Sequence, residues 1–179
     1  LDLAALVPNN SVTIPTGQPG PLRFTVADTK STDAAIFHIA AADIFENPFV
    51  QQIELQPYRA ATVVINVAGT TIDWRFGNMI GNLVNQNWRG NLIWNFYEAT
   101  AIDLGGHNFM GALLAPYAAV TTNGTIDGTV AVRTLATTAA VHQPEYWGDP
   151  SIACVTPAAD LVVTKSSTPN PVVAGRPLV

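Results

Sequence analysis

The sequence predicts an all-β fold, and three observations lead to this prediction. The best apolar segments are short and rich in β-branched residues, as β-strands usually are. Glycine, asparagine or aspartate bounds these segments, which is typical of turns. Segments with the spacing of an amphipathic helix are few. The chain has 179 residues, 48% of them hydrophobic and 12% charged, so it can bury a sizeable core and is not disordered.

The first half of the chain contains one ambiguous segment and one clear strand. Residues 33–46 are rich in alanine and could form a short helix. Residues 36–39 fit a strand leading into a turn at residues 41–45 equally well, and we favour the strand. Residues 61–67, Ala-Thr-Val-Val-Ile-Asn-Val, predict a strand that ends before Gly69.

The second half contains one further helical candidate and two strands. Residues 75–87 carry five apolar side chains at helical spacing, and this segment stays open between a helix and a loop. Residues 91–97 and 128–135 predict strands, which follow Gly90 and begin at Gly128.

A repeat in the second half predicts how the strands are arranged. Apolar strand centres fall at Ile102, Val120 and Val141, which are 18 and 21 residues apart. Steps of this size suit the coils of a parallel β-solenoid, with short helical insertions and an extended C-terminal strand. An antiparallel sandwich, with turns about every 8 to 12 residues, stays open as the alternative. Glycine-containing pairs at residues 105–106, 123–124 and 127–128 would form the corners.

Charge and hydropathy argue against two classes of partner. A net charge of −5 with only eight lysines and arginines leaves little to neutralise nucleic acid or an anionic membrane. The longest uncharged stretch, residues 104–126, contains glycine, asparagine and proline in turn-like order, so we do not expect it to insert in a membrane.

The first residues lack the pattern of a signal peptide, and we expect the chain to begin inside a longer precursor.

Several motifs occur in an order that resembles a known family. A Trp-Asn-Phe strand is followed by a Leu-Ala-Pro turn and by an Asn-Gly-x-Ile-x-Gly-x-Val strand. The segments concerned are residues 37–44, 63–69, 91–104, 109–120 and 123–132. Over residues 34–148 the chain thereby resembles the choice-of-anchor A domain of bacterial surface proteins. The resemblance implies an exported, adhesin-like domain, secreted to the cell surface.

The composition changes after Pro157, where we predict a domain boundary. Residues 158–179 are similar to the opening strand of the Ig-like repeats that form stalks in bacterial surface proteins. We therefore expect residues 1–157 to be an N-terminally incomplete choice-of-anchor A-like domain. Residues 158–179 would be a linker and the start of a stalk repeat.

The sequence offers no obvious catalytic or metal site. It has no nucleophile next to a base, no metal-ligand spacing and a single cysteine, Cys154, so we predict no enzymatic activity and no cofactor or metal. Asp103 and Asp127 lie at glycine-containing corners and are predicted to cap turns. Stacked coils could instead bring them together as the acid and base of a carbohydrate-active enzyme. The acidic residues near the first strand lack the alternating spacing of a calcium loop.

Tryptophans supply the candidate binding residues. Trp94 lies in an apolar strand and is predicted to be core. The other three have polar neighbours, and each could stack on a ligand, anchor a protein interface or close an end of the core. Arginines follow two of them and could stack on the rings. The candidate ligand and interface residues are Trp74, Arg75, Trp88, Arg89, Tyr146 and Trp147.

These observations predict a non-enzymatic, extracellular adhesin that binds a host or cell-surface protein or a glycan. The alternative is a subunit of an extracellular filament or surface layer that self-assembles by strand exchange. Its homopolymer would form through apolar residues of the tail, namely Leu161, Val163, Val172, Val173, Leu178 and Val179. Threonines between Thr121 and Thr138 also suggest an ice-binding face, but a regular Thr-x-Thr pattern is missing.

Overall fold

The chain folds mainly into short strands. The structure, a computed structural model, describes residues 2–27, 34–56, 60 and 62–149. The strands are β1 (Ser11–Thr13), β2 (Gly20–Thr25), β3 (Ala34–Ala40), β4 (Val50–Gln56), β5 (Thr62–Ala68), β6 (Thr71–Asp73), β7 (Asn78–Gly81), β8 (Leu92–Asn95), β9 (Ala101–Asp103), β10 (Phe109–Met110), β11 (Ala112–Thr122), β12 (Ile126–Asp127), β13 (Val130–Thr137) and β14 (Val141–His142). Four-residue helices α1 (Ala41–Ile44) and α2 (Gln86–Arg89) and two 3-10 turns (Leu3–Ala5 and Asn82–Val84) complete the described part. None of its helices is long and apolar enough to cross a bilayer.

Parallel pairing organises these strands into a solenoid-like fold of three sheets. The first sheet has the order β1-β2-β4-β7, the second β10-β12-β14 and the largest β3-β5-β8-β11-β9-β6, with β13 added on β11. Every pairing between described strands is parallel except that of β1 with β2. The predicted all-β, solenoid-like fold is confirmed, and the antiparallel sandwich is wrong.

The predicted repeat is half right. Val120 pairs with Ile102, the partner that the 18-residue spacing predicts. The next partner of Val120 is Leu135, only 15 residues further, whereas Val141 pairs with Ile126 in another sheet. The last coil is shorter than the one before it, so the predicted 21-residue step is wrong.

Most predicted strands are present, with ends shifted by one or two residues. β5, β8 and β13 overlap the three predicted strands, and β3 confirms the strand favoured for residues 36–39. The short helix α1 takes the place of the turn predicted at residues 41–45. Residues 75–87 form neither one continuous helix nor one continuous loop. They contain β7, which pairs with the parallel strand β4, so Met79 is buried by its register with Ile53 rather than by helical spacing.

Aromatic side chains fill the space between the sheets. Trp94 is fully buried, as predicted, and packs edge-on against Phe24 with ring centroids 5.7 Å apart. Phe24 in turn packs against Phe37 with ring centroids 5.2 Å apart, and the ring of Phe109 lies 5.9 Å from that of Trp94. These contacts join all three sheets into one core.

The outer face of the largest sheet is partly covered by the start of the chain. Leu3, from the first 3-10 turn, is buried against Ile36 of β3 and Val64 of β5, and these residues form a second, smaller apolar cluster. The next outward row of the sheet is polar. It contains His38, Asn66 and Asn95, which are direct neighbours on β3, β5 and β8.

Candidate binding surfaces

Residues 143–149, the last part of the chain that the structure describes, cross the strands of the largest sheet close to where those strands begin. We call this segment the strap. The Tyr146 amide donates to Thr129 Oγ1 (2.8 Å), the Trp147 amide to the Gly90 carbonyl (2.7 Å), and Thr62 Oγ1 to the Asp149 carbonyl (3.4 Å). Thr129, Gly90 and Thr62 precede or begin β13, β8 and β5, so the strap joins three different coils.

The strap displays an aromatic ring at the surface. The Trp147 indole lies directly over Gly90, where a Cβ atom would overlap the ring, yet 57% of the residue is exposed. Tyr146 is half-buried, its hydroxyl lies 3.2 Å from Thr62 Oγ1, and burial raises the pKa of its phenol. The strap therefore fixes the backbone of Trp147 while leaving the ring accessible.

Helix α2, which carries Trp88, ends beside the strap. The Asn85 side chain accepts from the Asn87 amide (3.0 Å) and caps the start of α2. The helix ends at Arg89, and the next residue, Gly90, lies beneath Trp147. Trp88, on this helix, is half-buried. We call Trp88, Tyr146 and Trp147 the aromatic patch.

Each of the two candidate arginines pairs with a carboxylate. Arg89 is 8% exposed and pairs with Asp127 (2.8 Å), while Arg75 is exposed and pairs with Asp73 (2.7 Å). That bond with Asp73 raises the pKa of the Arg75 guanidinium. Both guanidinium groups bind a carboxylate, and their stacking on the preceding tryptophan stays a prediction.

The two candidate acid/base aspartates have different structural tasks. Asp103 accepts from the Gly105 amide (2.9 Å), which confirms its predicted role as a turn cap. The same prediction is wrong for Asp127, because its two oxygens bind Arg89 (2.8 Å) and His142 Nδ1 (2.9 Å). Within the described residues, no group of three histidine, cysteine, aspartate or glutamate side chains could hold a metal ion.

Trp74 closes an end of the core instead of forming a surface platform. It is 2% exposed, its Nε1 donates to the Phe76 carbonyl (2.8 Å), and His107 stacks on its ring at 4.5 Å. The prediction of a ligand-binding Trp74 therefore fails on accessibility, and the alternative of core closure describes its position.

The stacked histidine makes stability depend on pH. Burial against Trp74 lowers the pKa of His107. As pH falls through the ordinary histidine value, about 6.5, the unfolded chain takes up this proton before the folded one does, so we expect stability to decrease. Urea midpoints measured between about pH 8 and about pH 5 should show a smaller decrease for His107→Gln than for the unmodified chain. His142→Gln is the control, and an unchanged slope in His107→Gln would contradict the prediction.

A polar row, missed by the sequence analysis, lies on the outer face of the largest sheet. Asn66 Nδ2 donates to the Leu3 carbonyl (2.8 Å) and lies 3.0 Å from His38 Nε2, and Asn95 Nδ2 donates to Asn66 Oδ1 (2.7 Å). Asn66 and Asn95 are 1% and 5% exposed. The available signal was an asparagine inside each of two otherwise apolar strands.

The predicted assembly tail cannot be placed. Its residues Leu161, Val163, Val172, Val173, Leu178 and Val179, the boundary at Pro157 and Cys154 all lie outside the described residues. These assignments, like the division into two domains, stay predictions.

Comparison with known proteins identifies the family. Residues 1–143 match the family described as "Putative Ice-binding-like adhesive domain". No curated protein and no solved structure is similar enough to count as a match. The choice-of-anchor A and Ig-like resemblances stay predictions, but the adhesive character they imply agrees with this match. Because the match covers most of its length, the chain belongs to the family of ice-binding-like adhesive domains.

Proposed function

We propose that this chain is a non-enzymatic adhesive module on the outside of a bacterial cell, and that the aromatic patch contacts a surface protein. The observation that carries the proposal is the family match over residues 1–143, because adhesion is what that family's description names. Exposed aromatic rings are frequent anchors of protein interfaces. Trp147 is the most exposed of the described tryptophans.

The positions of the carboxylates support a role without catalysis. Asp103 is engaged by a backbone amide, and Asp127 is shared between Arg89 and His142. An acid and base pair needs two carboxyl groups that face a common substrate. The hydrogen bonds of these aspartates serve the fold instead.

Adhesion fits the surface better than ice binding does. An ice-binding face needs a flat, regular array of threonines, and Thr121 does lie outward beside Asp103 on the sheet. The same outward row continues to Asp73 on one side and to Ala136 on the other. Two carboxylates and an alanine interrupt the row, so we favour adhesion.

Self-assembly is the second candidate, and one feature favours it. β13 is the last strand of the largest sheet, and its outer edge pairs with no other described strand. It spans eight residues with a single charge, Arg133, so it offers a long edge for strand addition. A tail from a second copy could occupy this edge.

An adhesion assay tests the proposal. Beads carrying the chain should be retained under flow on at least one of four surfaces: fibronectin, fibrinogen, epithelial cells or bacterial cells. Trp147→Ala should lower retention by about tenfold or more, since a central aromatic anchor contributes about 2 kcal/mol or more. Phe49→Ala, which removes an exposed ring outside the aromatic patch, is the matched control.

A second variant tests the position of the ring rather than its presence. Gly90→Ala keeps the indole but displaces it, because the added Cβ overlaps Trp147. Gly106→Ala, where an added Cβ meets nothing within 4 Å, is its control. Lack of retention on all four surfaces would overturn the adhesive proposal. Polymers seen by light scattering, together with retention that Trp147→Ala leaves intact, would favour the assembly candidate.

A further inference from the structure

The polar row forms the floor of a trough on the outer face of the largest sheet. The trough consists of two adjoining depressions of about 350 and 320 Å³, and Tyr97 lines both. Asn95 lies in one depression, and His38 and Asn66 lie in the other. Volumes of this size are at the lower end of small-molecule sites.

Hydrogen bonds between the floor residues fix which group donates and which accepts along the row. Asn66 Nδ2 donates to Leu3, so this side of the amide is the NH₂ group, and His38 Nε2 must accept from it. A neutral His38 then carries its proton on Nδ1. At the other end Asn95 gives its NH₂ to Asn66, and its Oδ1 receives no hydrogen bond from the described residues. Among the described residues, the row thus ends in a donor without a partner, His38 Nδ1, and an acceptor without a partner, Asn95 Oδ1.

An aromatic ring is placed at the mouth of the trough. β11 has a bulge between Ala115 and Ala119, and bulges commonly redirect side chains beside functional sites. Tyr117 lies in this bulge, lines the depression that contains Asn95 and is 64% exposed. Its backbone carbonyl accepts from Arg133 Nε (3.0 Å), which holds the bulge in place.

The chemistry of the lining points to a neutral, hydroxyl-rich ligand. The lining contains Asp2 and Asp43 but neither lysine nor arginine, so it does not favour an anion. Of the strands beneath, β5 and β8 are paired on both sides, and Asn9 already binds Ala34 and Ile36 at the outer edge of β3, so an extended peptide finds little free edge to join. Amides and an imidazole can bond hydroxyl groups, and a phenol ring can cover the apolar face of a sugar.

We propose that the trough is a saccharide-binding site, in which a sugar hydroxyl donates to Asn95 Oδ1 and the sugar ring packs on Tyr117. A second hydroxyl would accept from His38 Nδ1. The floor is held in place before the ligand arrives, because both asparagines are almost fully buried and bonded. This site is distinct from the aromatic patch, and either assignment can fail without the other.

Titration with three neutral trisaccharides tests the site: chitotriose, cellotriose and maltotriose. In ¹⁵N-resolved NMR spectra at sugar concentrations up to about 10 mM, at least one should shift the side-chain amide signals of Asn95 and Asn66 in a saturable manner. Tyr117→Ala should weaken this binding by about tenfold or more, as expected for loss of an aromatic contact. Trp147→Ala should leave it unchanged.

Further variants separate binding from folding. Asn95→Leu removes the free acceptor, and its folding is checked by circular dichroism. Tyr117→Phe should retain most of the affinity, because it keeps the ring. The proposal is overturned if no trisaccharide gives a saturable shift, or if the shifts fall on the aromatic patch instead. It is also overturned if Tyr117→Ala binds as tightly as the unmodified chain.

Discussion

Replacing Asp127 with alanine is expected to lower the free energy of unfolding by about 3 to 5 kcal/mol. Arg89 lies with its side chain 9% exposed, and its ion partner is Asp127, 16% exposed, at 2.8 Å. The Arg89 guanidinium also contacts the weak acceptor Met110 Sδ at 3.5 Å, and its Nε has no hydrogen-bond partner among the described residues. Without the carboxylate, the structure would enclose an uncompensated charge. Urea denaturation at neutral pH measures the loss.

Two comparisons make this expectation specific. Asp103→Ala removes an exposed carboxylate that caps a turn, and it should cost only about 1 kcal/mol. The double variant Arg89→Met with Asp127→Leu should recover most of the stability, since an apolar pair can replace a buried ion pair at little cost. A loss in Asp127→Ala no greater than that in Asp103→Ala would contradict the role given to this pair.

The ion pair between Arg89 and Asp127 is a contact that local sequence could not predict. Arg89 follows Trp88 and Asp127 precedes Gly128, so local sequence suggested ring stacking for one and turn capping for the other. The two residues are 38 positions apart along the chain and lie on different coils. The stacking of the coils brings them together. A contact of this kind depends on the stacking order, which the spacing of apolar residues did not reveal here.

Trp74 was misjudged for a simpler physical reason. Its neighbours Asp73 and Arg75 are polar, which suggested a surface loop. Successive residues of an extended chain point to opposite sides, so a buried ring can lie between two exposed charges. Burial of Trp74 and the exposed ion pair of Asp73 with Arg75 are therefore compatible. Local polarity alone could not distinguish the two faces.

The strands that were predicted correctly share a regular pattern of apolar residues. Strands β5 and β8 are continuous apolar runs, as expected for strands covered on both sides. Coil stacking was predicted where successive strands carry an apolar residue in register, as Ile102 and Val120 do. The same regularity hid Asn66 and Asn95, because a single polar residue hardly alters the hydropathy of such a run.

Replacing Gly124 with alanine is the second change expected to have a large effect, with a loss of about 3 kcal/mol or more. Gly124 lies at a coil corner, where its amide donates to the Gly105 carbonyl (3.2 Å) of the preceding coil. Thr122 Oγ1 also binds both its amide (3.1 Å) and its carbonyl (3.0 Å). An added Cβ would overlap the backbone carbonyl of His107. Backbone cannot rotate away as a side chain can, so the two corners must separate.

Gly106→Ala is the matched control, because it changes a glycine of the facing corner to the same residue. Its Cβ would meet nothing within 4 Å, and we expect a change within about 1 kcal/mol. Urea denaturation of both variants, with near-ultraviolet circular dichroism to follow Trp74 and its stacked His107, measures the difference. Equal stabilities of the two variants would show that the corners are not in close contact. A selective loss in Gly124→Ala would instead establish that backbone contact between successive coils limits which residues the corners accept.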